Sequence, residues 1–345
     1  MRPLTRSPAA RLPDTRKCLP VSFRLPKFDY FLVGLVLMVA LALVWPTPGM
    51  SGGPLHFEYV TTYGVSVVFF LYGLMLSPER MKAGVLHWRL HICVQFATFV
   101  LFPVLLLVAR ALMPGMFSDD LWLGFFYVAA LPSTVSSSVA MTNIARGNVP
   151  AAVFNASLSS LLGVFITPLL MSWYMKSNGI DMPLLPVIFK VVMLVLVPIV
   201  LGQIARRWLG GWAQRNAFWV KLADRSTILA IVYNSFCDSV AAGVWSANDL
   251  DVVLEIAVAS VALFVLVYLI MNGVCALMGF SVRDRIACQF CGSKKSLATG
   301  VPLAPVMFGH SAAIGLIVAP IMVFHFLQLV IVSVLAARFA KRTGD

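Results

Sequence analysis

From residue 28 to the C-terminus the chain is a succession of apolar runs, many of them long enough to cross a hydrocarbon core, which takes about 20 helical residues. In that medium each backbone N–H and C=O must find its partner inside the protein, so only helices and closed barrels can span it. A barrel would show segments of about 10 alternating residues, and no such alternation occurs. Hydrophobic residues make up 60% of the 345 and charged residues 12%, about half the charged share of a soluble domain. The expected class is an all-α polytopic membrane protein. Ten spans can be drawn, at 28–45, 59–77, 85–112, 121–145, 149–175, 182–204, 226–245, 252–280, 286–308 and 312–336. Turn-forming stretches such as PTPGMSGG (46–53) and KSNGIDMP (176–183) separate them.

The net charge of +12 is not a nucleic-acid footprint, because its placement follows the membrane. Seven of the 26 lysines and arginines lie within 1–27. Most of the rest fall in alternate loops and the tail: Arg80, Lys82 and Arg89, then Arg146, then five within 206–225, then Arg283 and Arg285, then Arg338, Lys341 and Arg342. The opposite loops hold only Arg110 and Lys176, beside Asp119, Asp120, Asp181, Asp249 and Asp251. Such asymmetry predicts cytoplasmic termini and an even number of spans. Residues 1–27 lack the apolar stretch of a secretory signal; a disordered cytoplasmic arm, an over-long start and a transit peptide all fit their arginine-rich composition. The expected location is the plasma membrane, of bacterial inner-membrane type.

The chain carries signs of internal duplication. GVFITPLLM (163–171) in the fifth span matches GLIVAPIMV (315–323) in the tenth, and SSVA (137–140) in the fourth resembles KSLA (295–298) in the ninth. Two five-span halves, 28–175 and 182–340, follow between a basic arm at 1–27 and a tail at 341–345. An odd number of spans per half makes the repeat inverted, as in many secondary transporters. The fourth and ninth spans are also the irregular ones. Pro132 and the hydroxyls of Ser133, Thr134, Ser136, Ser137 and Ser138 interrupt the fourth; Gly292, Gly300 and Pro302 interrupt the ninth. Helices broken at matching positions of two halves point to a transport site. The plainer reading is a pair of kinked helices whose serines bond to their own backbone.

Lys294 and Lys295 sit near the middle of the ninth span, where each lysine costs about 2.5–3.5 kcal/mol on insertion scales. Neighbours on a helix point about 100° apart, so the two cannot serve one point. Lys295, in register with the serine-rich segment, is the expected contact. Asp238 is the only carboxylate near the middle of any span. The site therefore reads as an electropositive pocket for an anion, or else as a Lys–Asp structural pair. Asn234 with Asp238, and Asn155 with Ser159, form polar faces at i,i+4 spacing. The candidate binding residues are Thr134, Ser136, Ser137, Ser138, Asn155, Asp238, Gln289, Ser293, Lys294, Lys295 and Ser296. All six cysteines except Cys18 lie in apolar segments and read as single buried thiols. Cys288-x-x-Cys291 has the spacing of half a zinc site, but no second pair accompanies it, and no metal site is expected.

The stretches FFLYGLMLS (69–77), LHICVQ (90–95), LPSTVSSSVAMTNIARGNVPAAVFNASLSSLLGVFITPLLM (131–171), FCDS (236–239) and CGSKKSLATGVPLA (291–304) resemble the bile acid–sodium symporter superfamily over about residues 28–340. The nearest branch is that of sodium/bile acid cotransporter seven. The resemblance implies ten helices in two inverted repeats, with a panel of spans 1, 2, 6 and 7. It also implies a core of spans 3–5 and 8–10 containing crossed, discontinuous helices 4 and 9. Alternating-access transport of an organic anion or related solute, often with sodium, is implied too. The family's sodium-ligating Glu–x–x–x–Gln pair falls here on Gln289 and Ser293, its Ser–Asn on Ser138 and Val139, and two further hydroxyls on Ala152 and Ala156. The carboxylate is gone and ammonium groups have arrived, so Lys295 is expected to stand where sodium would otherwise sit. Protonation or substrate exchange would then replace sodium coupling.

The expected function is secondary transport of a small anionic solute, with no cofactor and with sodium as the one ion in question. The alternative is a membrane regulatory protein that keeps a transporter fold and influences calcium homeostasis through a partner. An enzyme is not expected: H-E-x-x-H, G-x-S-x-G and paired mid-span aspartates are all absent, and so is a Walker A loop. Partners are a solute and the lipid bilayer, not nucleic acid; monomer and homodimer both remain open.

Overall fold

The computed structural model describes residues 30–75, 87–179, 184–241, 249–309 and 313–342. The basic arm 1–27, Arg80, Lys82, tail residues 343–345 and the outermost residues of several predicted spans lie outside these. Every regular element among the described residues is helical. In chain order they are α1 (Tyr30–Val44), α2 (Phe57–Met75), α3 (Trp88–Leu112), α4 (Asp119–Ala130), α5 (Ser136–Ile144) and α6 (Val149–Ser177). Then come α7 (Leu184–Val191, a π-helical turn Val192–Leu196, and Val197–Arg215), α8 (Ala217–Ala241), α9 (Asp249–Leu277), α10 (Val282–Gly292), α11 (Leu297–Phe308) and α12 (Ile314–Ala340).

Six of these are long and apolar enough to cross a membrane: α2, α3, α6, most of α7, α9 and α12. The remaining predicted spans fall short for local reasons. Helix α1 is short, α8 carries Lys221, Asp224, Arg225, Asn234 and Asp238, and the fourth and ninth spans are each two half-helices. Helix α9 shows how the rods are turned. Leu254, Val258, Val261, Val265 and Leu269 form an exposed apolar stripe at helical spacing, while Ile256, Leu263, Phe264, Val267 and Met271 are buried. An apolar stripe facing outward suits lipid rather than water.

The breaks follow from local chemistry. A proline disfavours the helical region for the residue before it; Leu131, ahead of Pro132, is extended at φ −70° and ψ 152°, and α4 stops at Ala130. Beyond Gly292 the chain leaves the helix until Ser296, extended at φ −90° and ψ 109°, caps α11 by accepting from Thr299 N. The two breaks cross and bind each other. Ser133 Oγ donates to Cys291 O at 2.6 Å, Ser296 N to Pro132 O at 2.9 Å and Ser138 Oγ to Phe290 O at 3.1 Å.

Packing sorts the rods into two groups. Helix α2 lies along α7 and α8, and α1 along α8; the half-helices α4, α5 and α10 pack mainly with α3, α6, α9 and α12, while α11 lies between α12 on one side and α2, α7 and α8 on the other. The α2–α7 seam is backbone against backbone. A Cβ on Gly73 would run into the main chain of Ile199, and one on Gly202 into that of Phe70. At one end of the molecule Asn148 N donates to Arg283 O, Arg89 to Met278 O, and Arg342 to the carbonyls of Ala145 and Arg146. Elsewhere Arg110 binds Tyr174 and Asp119. Loops predicted to share one side are thus in mutual contact.

Candidate functional site

The side chain of Lys295 is fully buried. Its ammonium donates to the carbonyls of Thr98 at 2.7 Å, Ala129 at 2.7 Å and Leu131 at 2.8 Å, and lies 4.1 Å from the centre of the Phe102 ring. Three donors meet three acceptors, so the group is saturated. The chain leaves each of these carbonyls without an intrahelical partner. Ala129 and Leu131 stand at the C-terminal end of α4, where the last carbonyls have no following turn and the helix dipole is negative. Thr98 lies in a π-helical turn, Ala97–Leu101, in which Phe102 N bonds to Ala97 O. The next donor in that register is Pro103, which has no N–H. Gln328 fixes the main chain of Lys295, accepting from its N and donating to its O, both at 2.8 Å.

Lys294 is equally buried but differently placed. Its one hydrogen-bond partner among the described residues is Ser137 Oγ at 3.4 Å, and the Phe290 ring centre is 5.9 Å away. Ser137 Oγ is 2.7 Å from Thr134 Oγ1, which is also 2.9 Å from Ser138 Oγ. These hydroxyls flank the N-terminus of α5, whose capping position, Val135, supplies no side-chain bond. An ammonium with unused donors, a hydroxyl cluster and an uncapped helix start together favour an anion. Lys295, the contact expected from the sequence, is thus saturated by carbonyls, whereas Lys294 keeps unused donors among the described residues. The two ammonium groups part because both residues sit in the non-helical break, where the 100° rule does not apply.

The other candidates are distributed around this crossing. Ser136 is exposed beside it. Ser293 Oγ donates to Gln289 O at 2.7 Å, and Ser296 is the α11 cap. Gln289 Nε2 donates to Asn272 at 2.8 Å while its Oε1 is buried without a partner among the described residues. Asn155 is held by Gln95 and by the Ala151 carbonyl. Asp238 is not the lysines' partner: it accepts from Ser51 N at 2.6 Å and Ser51 Oγ at 2.7 Å, and Asn234 beside it bonds Gly49 O and Thr61. The polar face of α8 thus holds the 49–51 turn. Thr98, Phe102, Pro103 and Gln328 were not singled out from the sequence, nor was Thr167, which donates to Ala130 O at 2.7 Å. Only Gln328, a lone amide in an apolar run, carried a visible signal.

The chain is similar to known proteins over most of its length. The family model described as the SBF-like CPA transporter family matches residues 29–341. "Uncharacterized protein PA2026" of Pseudomonas aeruginosa is 43% identical over 322 residues, covering 93% of this chain and 96% of that one. "Putative symporter YfeH" of Escherichia coli is 40% identical over 315 residues, 91% and 94% of the two chains. "Sodium/bile acid cotransporter 7" of Danio rerio is 32% identical over 321 residues, 89% and 92%. With half-helices crossing between rods that turn apolar stripes outward, and with similarity running almost end to end, the chain is a multi-pass membrane protein that belongs to the SBF-like CPA transporter family.

Proposed function

We propose that this protein moves a small organic anion across the membrane by alternating access, with Lys294 as the contact for the anion's negative charge. The observation that carries this reading is a fully buried ammonium whose one hydrogen-bond partner among the described residues is a hydroxyl at 3.4 Å, placed at the start of α5. Such a group is costly inside a membrane unless a ligand compensates it. Names of relatives, one a symporter and one a sodium/bile acid cotransporter, support a transported solute of this kind.

Ten spans form two inverted five-helix repeats, 28–175 and 182–340, in this reading. The α1–α2–α7–α8 group is the panel, and the remainder is the moving core. Basic loops gathered at one end favour cytoplasmic termini, and relatives in two bacteria favour the inner membrane. The chain acts as a carrier and not as an enzyme. Sodium, which the family resemblance brings in, does not fit the crossing: Lys295 fills the carbonyl cage, and the Ser138 and Ser293 hydroxyls bond main-chain carbonyls. A cation site normally gathers free oxygens, preferably charged ones. No transport step is therefore assigned to sodium. No feature of the described residues favours the regulatory alternative.

The test is a thermal-stability screen of purified protein against a panel of carboxylates and sulfonates that includes a bile-acid anion. A ligand that binds the folded state raises the midpoint by mass action. An anion that stabilises wild type should bind Lys294→Gln more weakly by about 2–5 kcal/mol, the cost of losing one partner of a buried charge contact. Equal stabilisation of both proteins by the same anion would remove the basis of this reading.

A further inference from the structure

Three thiols converge away from the crossing. Cys93 of α3, Cys275 of α9 and Cys288 of α10 place their sulfur atoms within 4.8 Å of one another, with Cys93 and Cys288 3.5 Å apart. All three residues are buried. Cys291, whose spacing from Cys288 suggested half a zinc site, turns instead toward the Ala152 carbonyl at 3.7 Å. The cluster unites three separate helices, so no local motif announces it.

We infer that Cys93, Cys275 and Cys288 bind a soft divalent cation, zinc, as three thiolates. Zinc–sulfur bonds of about 2.3 Å put the sulfurs of a tetrahedral set about 3.8 Å apart, close to the spacing already present. Charge selects a divalent ion. Three thiols release three protons on binding, so zinc leaves the set with one negative charge and a monovalent metal would leave two. Arg285 lies one turn before Cys288, close enough for its charge to act on Cys275, and its buried Nε has no hydrogen-bond partner among the described residues. That guanidinium balances a single negative charge, which a dry interior requires. The fourth coordination position stays open. A cavity of about 410 Å³ at the start of α10 is lined by His87, Ser281, Arg283 and Asp284 among others, and Asp284 is one turn from Cys288. Bound zinc would tie α10, and with it the break that carries both lysines, to α3 and α9.

The experiment strips purified full-length protein with a chelator, reloads it with zinc or cadmium, and removes free ion. Expected are one ion per chain and a cadmium–thiolate charge-transfer band, both lost in the Cys93→Ser/Cys275→Ser/Cys288→Ser variant and kept in Cys291→Ser. Arg285→Gln, with every thiol intact, should weaken zinc binding by about 10–100-fold. Failure of wild type to take up either ion would overturn the inference, and so would equal uptake by the triple variant. A Cys93–Cys288 disulfide in protein purified without oxygen would also overturn it. If the triple variant does not fold, wild-type loading and Arg285→Gln decide the matter.

Discussion

A lysine ammonium held by three main-chain carbonyls at 2.7–2.8 Å occupies a place that a small monovalent cation could also fill. Lys295 in this sense is an ion tethered to the chain. Replacing it with methionine would strand three buried carbonyls, each at about 1–3 kcal/mol. Lys295→Met should therefore lower the melting midpoint sharply. Lys295→Ala should open the cage, so that added sodium raises the midpoint of this variant and leaves wild type unmoved. A sodium-insensitive Lys295→Ala protein would show that the cage is not a cation site. The same scale explains the difference between the two lysines. Both stood out in the sequence by charge alone; which one is saturated depends on carbonyl oxygens, and those carry no residue code.

Among the elements, proline does more than interrupt. Pro132 ends α4, and Pro103 leaves the Thr98 carbonyl open two residues after a π-helical turn. The turn Val192–Leu196 is likewise followed by Pro198. The breaks were legible because proline, glycine and hydroxyl residues cluster there. The π-helical turns were not, because a proline within an apolar run does not by itself announce a shift of one hydrogen bond. Glycine has a narrower task in the α2–α7 seam, where small residues let two backbones meet. Gly202→Ala should cost about 1–3 kcal/mol through overpacking, with Gly202→Leu worse. Gly273 in α9 is a control, since nothing lies within 4 Å of an added Cβ there. Gly273→Ala should leave the melting midpoint near that of wild type in the same detergent. Equal behaviour of Gly202→Ala and Gly273→Ala would deny the seam its close fit.

On the scale of the whole molecule, the half-helices α4, α5 and α10 are gripped by α3, α6, α9 and α12, while α1, α2, α7 and α8 pack chiefly among themselves and meet the first group through α11 and α12. A division of this kind permits one group to rock against the other while the crossing stays intact. In the proposed reading Lys295 fills the cation place, and the proposed cycle has no call on external sodium. Anion uptake into proteoliposomes should proceed at the same rate when sodium is replaced by potassium on both sides. A several-fold fall on replacement would refute the tethered-ion reading while leaving the role of Lys294 open to its own test.

The sequence alone determined that the chain crosses a membrane repeatedly as helices, which segments break and where unusual charge lies. Those properties follow from the solvent each residue tolerates and from backbone geometry within a few residues. Tertiary structure decided the pairings. It gave Asp238 to Ser51 and not to a lysine, closed Lys295 with carbonyls from α3 and the end of α4, left Lys294 open beside α5, and drew Cys93, Cys275 and Cys288 together. Each of those contacts joins positions remote along the chain through main-chain oxygens or single thiols, and only the packing of the rods brings such groups within reach.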